Sequence, residues 1–173
     1  MVYHIVRCEL CIATHVFPIP YENDLVEFYK REFYQSEKPE MVARYEEDAR
    51  WWAECVHKPT LQAIEKILAT TTTQHPSILD VGAGPGLLLR DAKERGWRTN
   101  AIEPSPICAE RLRESGHCVW EGSIKDYAES DVFRKERHDA VVMWETLEHM
   151  SCPEETLLQV FNLLAPGGVL VVA

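Results

Sequence analysis

The sequence predicts an α/β fold, a doubly wound and mostly parallel sheet preceded by an N-terminal helical extension. Three observations carry this. From residue 74 onward, short apolar runs alternate with segments of helical periodicity, the pattern of a parallel sheet with crossover helices. Gly96, Gly116 and the pair Gly167-Gly168 follow three of those helical segments, where a left-handed residue is tolerated most cheaply by glycine. A content of 46% hydrophobic and 27% charged residues over 173 positions matches one globular core with room for an extension.

Taken in order, residues 1–20 carry Cys8-Glu9-Leu10-Cys11 and end in Phe17-Pro18-Ile19-Pro20, where two prolines favour extended or turn backbone, so this part reads as a small appendage. Residues 21–73 form a helical region. Over 40–57 the apolar positions Met41, Val42, Tyr45, Ala49, Trp52, Ala53 and Val56 recur at three- and four-residue intervals, the mark of an amphipathic helix. Pro59 is expected to break it, and a second helix over 61–69 places Leu61, Ile64, Ile67 and Leu68 together. The threonines at 70–73 connect this region to the core, residues 74–173. Strands are expected at 77–81, 99–102, 118–120, 139–143 and 169–172, with helices at 87–95, 106–114, 127–134 and 154–164 between them.

Charge narrows the partners. With 28 acidic against 18 basic residues and a net charge of -10, the chain lacks the basic surface that grips nucleic acid phosphates. No apolar run is long enough to span a bilayer, and no secretory signal opens the chain, so neither membrane nor nucleic acid is an expected partner and a cytoplasmic location is. The six cysteines are mostly isolated, which suits a reducing compartment.

The most informative segment is Ile78-Leu79-Asp80-Val81-Gly82-Ala83-Gly84-Pro85-Gly86-Leu87, an apolar strand running into a glycine turn and then a helix. Such a turn lets a ligand lie against bare backbone at the carboxyl end of a strand. A dinucleotide fingerprint would want glycine at position 87, where this chain has Leu87. Asp80 just before the turn would repel a pyrophosphate but suits a ligand bearing an ammonium and a sulfonium. The next strand ends in Glu103, 23 residues after Asp80, where a carboxylate can accept from both hydroxyls of a ribose.

These residues, with Glu103-Pro104-Ser105, the stretch from Asp139 to His149 and Leu164-Ala165-Pro166-Gly167-Gly168, resemble successive motifs of class I S-adenosylmethionine-dependent methyltransferases, of the bacterial small-molecule type, over roughly the last hundred residues. The resemblance implies a Rossmann-like sheet of which five of the usual seven strands are present, and S-adenosylmethionine as cofactor. It implies that Asp80, Gly82, Ala83, Gly84 and Gly86 line the methionine part, that Glu103 holds the ribose, and that Pro104, Ser105, Ser123 and Ile124 border the adenine. Trp144 and Glu145 would wall the pocket. Many relatives carry an aspartate where Ser123 stands, so a neutral hydroxyl would hold the adenine amino group more weakly.

Methyl transfer from a sulfonium asks the protein mainly for alignment and desolvation, and for a base only when the nucleophile is protonated. His149 is the candidate, since Glu145 lies four residues earlier, where a short helical turn would bring the two together. The aromatics of the helical region, among them Tyr29, Phe33, Tyr34, Tyr45 and Trp52, are expected to form a lid over the cofactor or to pack simply on the sheet.

The Cys8/Cys11 segment resembles the second knuckle of the zinc ribbon that precedes some bacterial methyltransferases. His4 and His15 would complete a ligand set for zinc, but four ligands within twelve residues leave little chain to wrap a tetrahedral ion, and the segment reads as a degenerate or partial ribbon. At the other end, a chain closing within its fifth strand is expected to leave that strand as an open edge, and so to self-associate, to meet a missing segment, or to be a fragment of a longer protein. The functional expectation is a methyltransferase acting on a small-molecule nucleophile; the alternative is a non-catalytic S-adenosylmethionine-binding or interaction module. A nicotinamide dehydrogenase ranks third because of the glycine spacing.

Overall fold

The computed structural model describes residues 2–9, 12–69, 75–131 and 136–173. Its centre is a five-stranded parallel sheet built from β3 (Ser77–Val81), β4 (Arg98–Glu103), β5 (Cys118–Glu121), β6 (His138–Met143) and β7 (Leu164–Val172), in the order β5-β4-β3-β6-β7. The chain starts in the middle strand, winds outward to one edge, then crosses back to wind toward the other. The crevice at the carboxyl ends of β3 and β6 is therefore the place where strand order reverses and ligands of such sheets bind. The doubly wound fold class read from the sequence is the one observed.

The two faces of the sheet are buried by different helices, as alternation along each strand requires. Ile78, Ala101, Ala140 and Val142 pack with Leu61, Ile64 and Leu68 of α4 (Lys58–Leu68), with Leu88, Leu89 and Ala92 of α5 (Leu87–Glu94) and with Leu112 of α6 (Pro106–Glu114). Leu79, Val81, Ile102, Val141 and Met143 face Ile124 and Tyr127 of α7 (Ile124–Glu129) and Val160 and Leu163 of α8 (Pro153–Leu163). All five residues of β3 are buried, which fixes its register against both neighbours.

Several boundaries differ from the expected ones, each for a physical reason. The helix expected at 127–134 begins at Ile124, because Ser123 and Asp126 cap it reciprocally; the positions 132–134 lie outside the described residues. The last strand starts at Leu164, not 169: Leu164 pairs with His138 and Val169 with Ala140, so Pro166-Gly167-Gly168 is absorbed by a shift in register. A side chain at Gly168 would meet the Ala165 carbonyl at 2.9 Å and the Asp139 and His138 carbonyls at 3.1 Å, which is why glycine stands there.

Before the sheet, α1 (Glu22–Phe28) continues into a wide, π-type segment Tyr29–Glu37; α2 (Met41–Glu47) and α3 (Ala49–Trp52) follow, then a second π-type segment, Ala53–His57, which passes into α4. The single helix expected at 40–57 is thus divided at Asp48, whose backbone leaves helical geometry. Pro59 does not stop the chain. It sits in the first turn of α4, where its missing N–H costs least, and the wide segment before it absorbs the lost hydrogen bond. The N-terminal appendage is a hairpin of β1 (His4–Arg7) and β2 (Thr14–Phe17), exposed along both strands. No helix among the described residues is long and apolar enough to cross a membrane.

Candidate functional site

A cavity of about 290 Å³ opens at the carboxyl ends of β3, β4 and β6. Its floor is the glycine turn. Gly82, Gly84 and Gly86 all take positive φ, at 78°, 52° and 82°, and the Gly82 N–H donates to the Ile102 carbonyl at 2.8 Å, tying the turn to β4. Asp80 and Glu103, only 4% and 3% exposed, stand beside it.

Glu103 is held by two backbone donors: the Gly84 N–H reaches Oε2 and the Ser105 N–H reaches Oε1, both at 2.8 Å. Burial lifts its carboxyl to about 7, against the pull of those two bonds. Burial, and after it the neighbouring Glu103, lifts Asp80 to about 7 as well. No described residue donates to the Asp80 carboxylate. Two buried carboxyls with unused acceptor capacity form an expensive arrangement in a dry core, and the cationic, hydroxyl-bearing ligand expected from the sequence would relieve it.

Asp80, Gly82, Ala83, Gly84, Glu103, Pro104, Ser123, Ile124, Trp144, Glu145 and His149 all line this cavity. Gly86 and Ser105 do not. Gly86 starts α5 with Leu112 packed where a Cβ would point, 2.3 Å away, and Ser105 is buried at the start of α6, where its N–H holds Glu103. Both support the wall from behind. Ser123 reaches the cavity edge, but its hydroxyl donates to Asp126 Oδ2 at 2.9 Å and accepts from the Asp126 N–H at 3.0 Å, so most of its bonding is spent on the cap of α7.

His149 and Glu145 are not brought together. Glu145 takes φ +48°, its N–H donating to the Ala173 carbonyl at 2.7 Å, and Thr146 is also non-helical, so the four-residue helical spacing does not exist. His149 ends a short 3-10 turn, exposed, with its ring edge-on to Tyr29 at 6.2 Å. The sequence reading missed a different histidine. His57, buried, lines the same cavity with Nδ1 at 2.6 Å from Asp91 Oδ2 on α5. The partners stand 34 residues apart, and no spacing in the sequence announces them.

The roof comes from the helical region: Tyr29, Phe33, Tyr34, Tyr45 and Trp52 all face the cavity. The Tyr34 hydroxyl lies 3.3 Å from the position of a Cβ at Gly84, and burial, with Glu103 nearby, raises its pKa strongly. At the N-terminal hairpin, Cys11 lies outside the described residues; among those described, no group of three or more His, Cys, Asp or Glu is arranged to hold a metal.

The family described as "Methyltransferase domain" matches residues 46–173. The chain is 29% identical over 143 residues to the ubiquinone biosynthesis O-methyltransferase of Nitrosococcus oceani, covering 75% of this chain and 59% of that enzyme. It is 32% identical over 149 residues to the enzyme of the same name from Xanthomonas axonopodis pv. citri, covering 80% and 60%. The chain therefore spans about three-fifths of these relatives' length. Its fold resembles that of the plantazolicin methyltransferase BpumL, solved with S-adenosylhomocysteine (SAH), at a TM-score of 0.59 and 19% identity over 82% of this chain and 53% of that one. With most of its length matched to the family, and a sheet that reverses at a glycine turn flanked by buried carboxyls, the chain belongs to the class I S-adenosylmethionine-dependent methyltransferases.

Proposed function

We propose that this chain binds S-adenosylmethionine in the cavity over the glycine turn and carries methyl transfer to an oxygen of a small-molecule acceptor. The observation that carries the reading is Glu103, fixed by the Gly84 and Ser105 N–H groups beside an Asp80 to which no described residue donates. When bound, the cofactor supplies a methyl group already activated on sulfur. Asp80 and the backbone of Gly82, Ala83 and Gly84 receive the amino-acid end, Glu103 accepts from the ribose hydroxyls, and Pro104, Ser123 and Ile124 border the base. Trp144 and Glu145 wall the side from which an acceptor approaches. The names of the relatives favour oxygen as the atom methylated. The described part of the 21–73 region acts as a lid, an assignment supported by the aromatic roof, and the cysteine usage of the sequence favours the cytoplasm.

Titration calorimetry with SAH tests the cofactor reading. Wild-type protein is expected to bind SAH and not NAD, and Asp80→Ala to lose the binding; a folded wild-type sample that ignores SAH overturns it. Binding without turnover of any acceptor would leave the chain as a cofactor-binding module.

A further inference from the structure

Pro59 has no N–H to offer, and the helical chain before it widens into the π-type segment Ala53–His57, a deformation frequent at functional sites. His57 ends that segment, 6% exposed. Asp91, itself 8% exposed, holds its Nδ1 at 2.6 Å, and the Trp52 ring lies nearly parallel to the imidazole, 19° off, at 6.1 Å. A carboxylate on Nδ1 places the proton of the neutral ring there and leaves the Nε2 lone pair free. No described residue bonds Nε2, and the ring lines the cavity that Asp80, Trp144 and Glu145 also line. The side chain that Asp91 fixes thus belongs to the wall of the cavity.

Burial favours the neutral form of the ring. Burial lowers the His57 pKa, Asp91 opposes that by its hydrogen bond and charge, and Arg90 on the same helix as Asp91 lowers it further. His149, exposed and without a carboxylate on its ring, lacks this arrangement.

We propose that His57 is the proton acceptor for the hydroxyl that is methylated, and that Asp91 is its positioning residue. The assignment rests on the methyltransferase reading above. As the acceptor oxygen forms its bond to the methyl carbon, its proton passes to His57 Nε2, and the electron pair of the breaking carbon–sulfur bond remains on sulfur. Asp91 stabilises the imidazolium until the proton leaves to solvent.

The test uses catechol as the probe hydroxyl. By nitrogen-15 NMR of histidine-labelled wild-type protein with SAH bound, His57 is expected to be neutral at pH 7 with its proton on Nδ1, and its Nε2 resonance to shift when catechol is added. With S-adenosylmethionine, His57→Gln should lower kcat by about 10²–10⁴-fold while leaving SAH affinity intact, and added imidazole should partly restore His57→Ala. Asp91→Asn removes a group that raises the His57 pKa, so the rising limb of kcat/KM should move to lower pH. A proton found on Nε2, an Nε2 signal indifferent to catechol, or a folded His57→Gln enzyme as fast as wild type overturns the assignment. Protein that binds SAH but neither binds nor methylates catechol overturns it too, with the cofactor reading left standing; protein that fails to bind SAH removes both.

Discussion

Asp80 and Glu103 share a buried corner, and their lifted carboxyls give the unliganded protein a pH dependence whose sign can be worked out. Their folded-state values near 7 exceed the 3.8 and 4.5 of unperturbed carboxyls. The stability they contribute is therefore full in acid and lost as pH rises through about 7, where the folded protein must ionise groups that the unfolded chain ionised earlier. His57, His117 and His138 act in the opposite sense: burial lowers all three, so their contribution is present above 6.5 and lost as pH falls through the lowered values. Asp80→Asn removes one carboxylate without changing shape. Denaturant unfolding of the ligand-free protein should find this variant more stable than wild type, by more at pH 8 than at pH 5. Equal stabilities at pH 8 would mean that water reaches Asp80. At this scale the sequence was legible wherever a residue stood at the end of a strand beside the glycine turn, as Asp80 and Glu103 do. It was silent on His57, whose meaning depends on a partner on another helix.

Element boundaries were legible where a single rule governs them and illegible where two compete. Strands β3, β4 and β6 appear in the sequence as apolar runs bounded by turns, and the structure moves their ends by one residue at most. The wide segments Tyr29–Glu37 and Ala53–His57 depart from the 3.6-residue period on which helix reading depends. At α7 the pattern Ser-x-x-Asp at Ser123 and Asp126 is a start signal that the sequence displays beside the place of Ser123 at the cavity edge. Ser123→Ala should accordingly destabilise the fold by about 1 kcal/mol while changing SAH affinity little, measured by thermal unfolding and calorimetry on the same sample. A large loss of affinity with no loss of stability would show that the Ser123 hydroxyl serves the adenine more than the cap. Gly86→Ala is a harsher change, because the new methyl would meet Leu112 Cδ2 at 2.3 Å on a residue whose φ is +82°. The left-handed backbone alone costs about 1–2 kcal/mol, and the displaced leucine adds to it, so the expected loss exceeds that of Ser123→Ala.

For the whole molecule, the architecture was legible from the alternation of strands and helices, whereas the sequence left open whether the helical region covers the cofactor or packs on the sheet, since that choice depends on contacts between distant segments. The far edge of the sheet remains unpaired among the described residues: β7 bonds β6 on one side only, Val172 is 44% exposed, and Leu158 and Phe161 of α8 face outward at 66% and 71%. Glycine at position 84 leaves a patch of bare backbone for a ligand, and the Tyr34 hydroxyl rests on that patch. On the cofactor reading proposed above, a ligand lying on the Gly84 backbone and the Tyr34 hydroxyl would compete for one surface, so the Tyr34 side chain would have to give way for the ligand to enter.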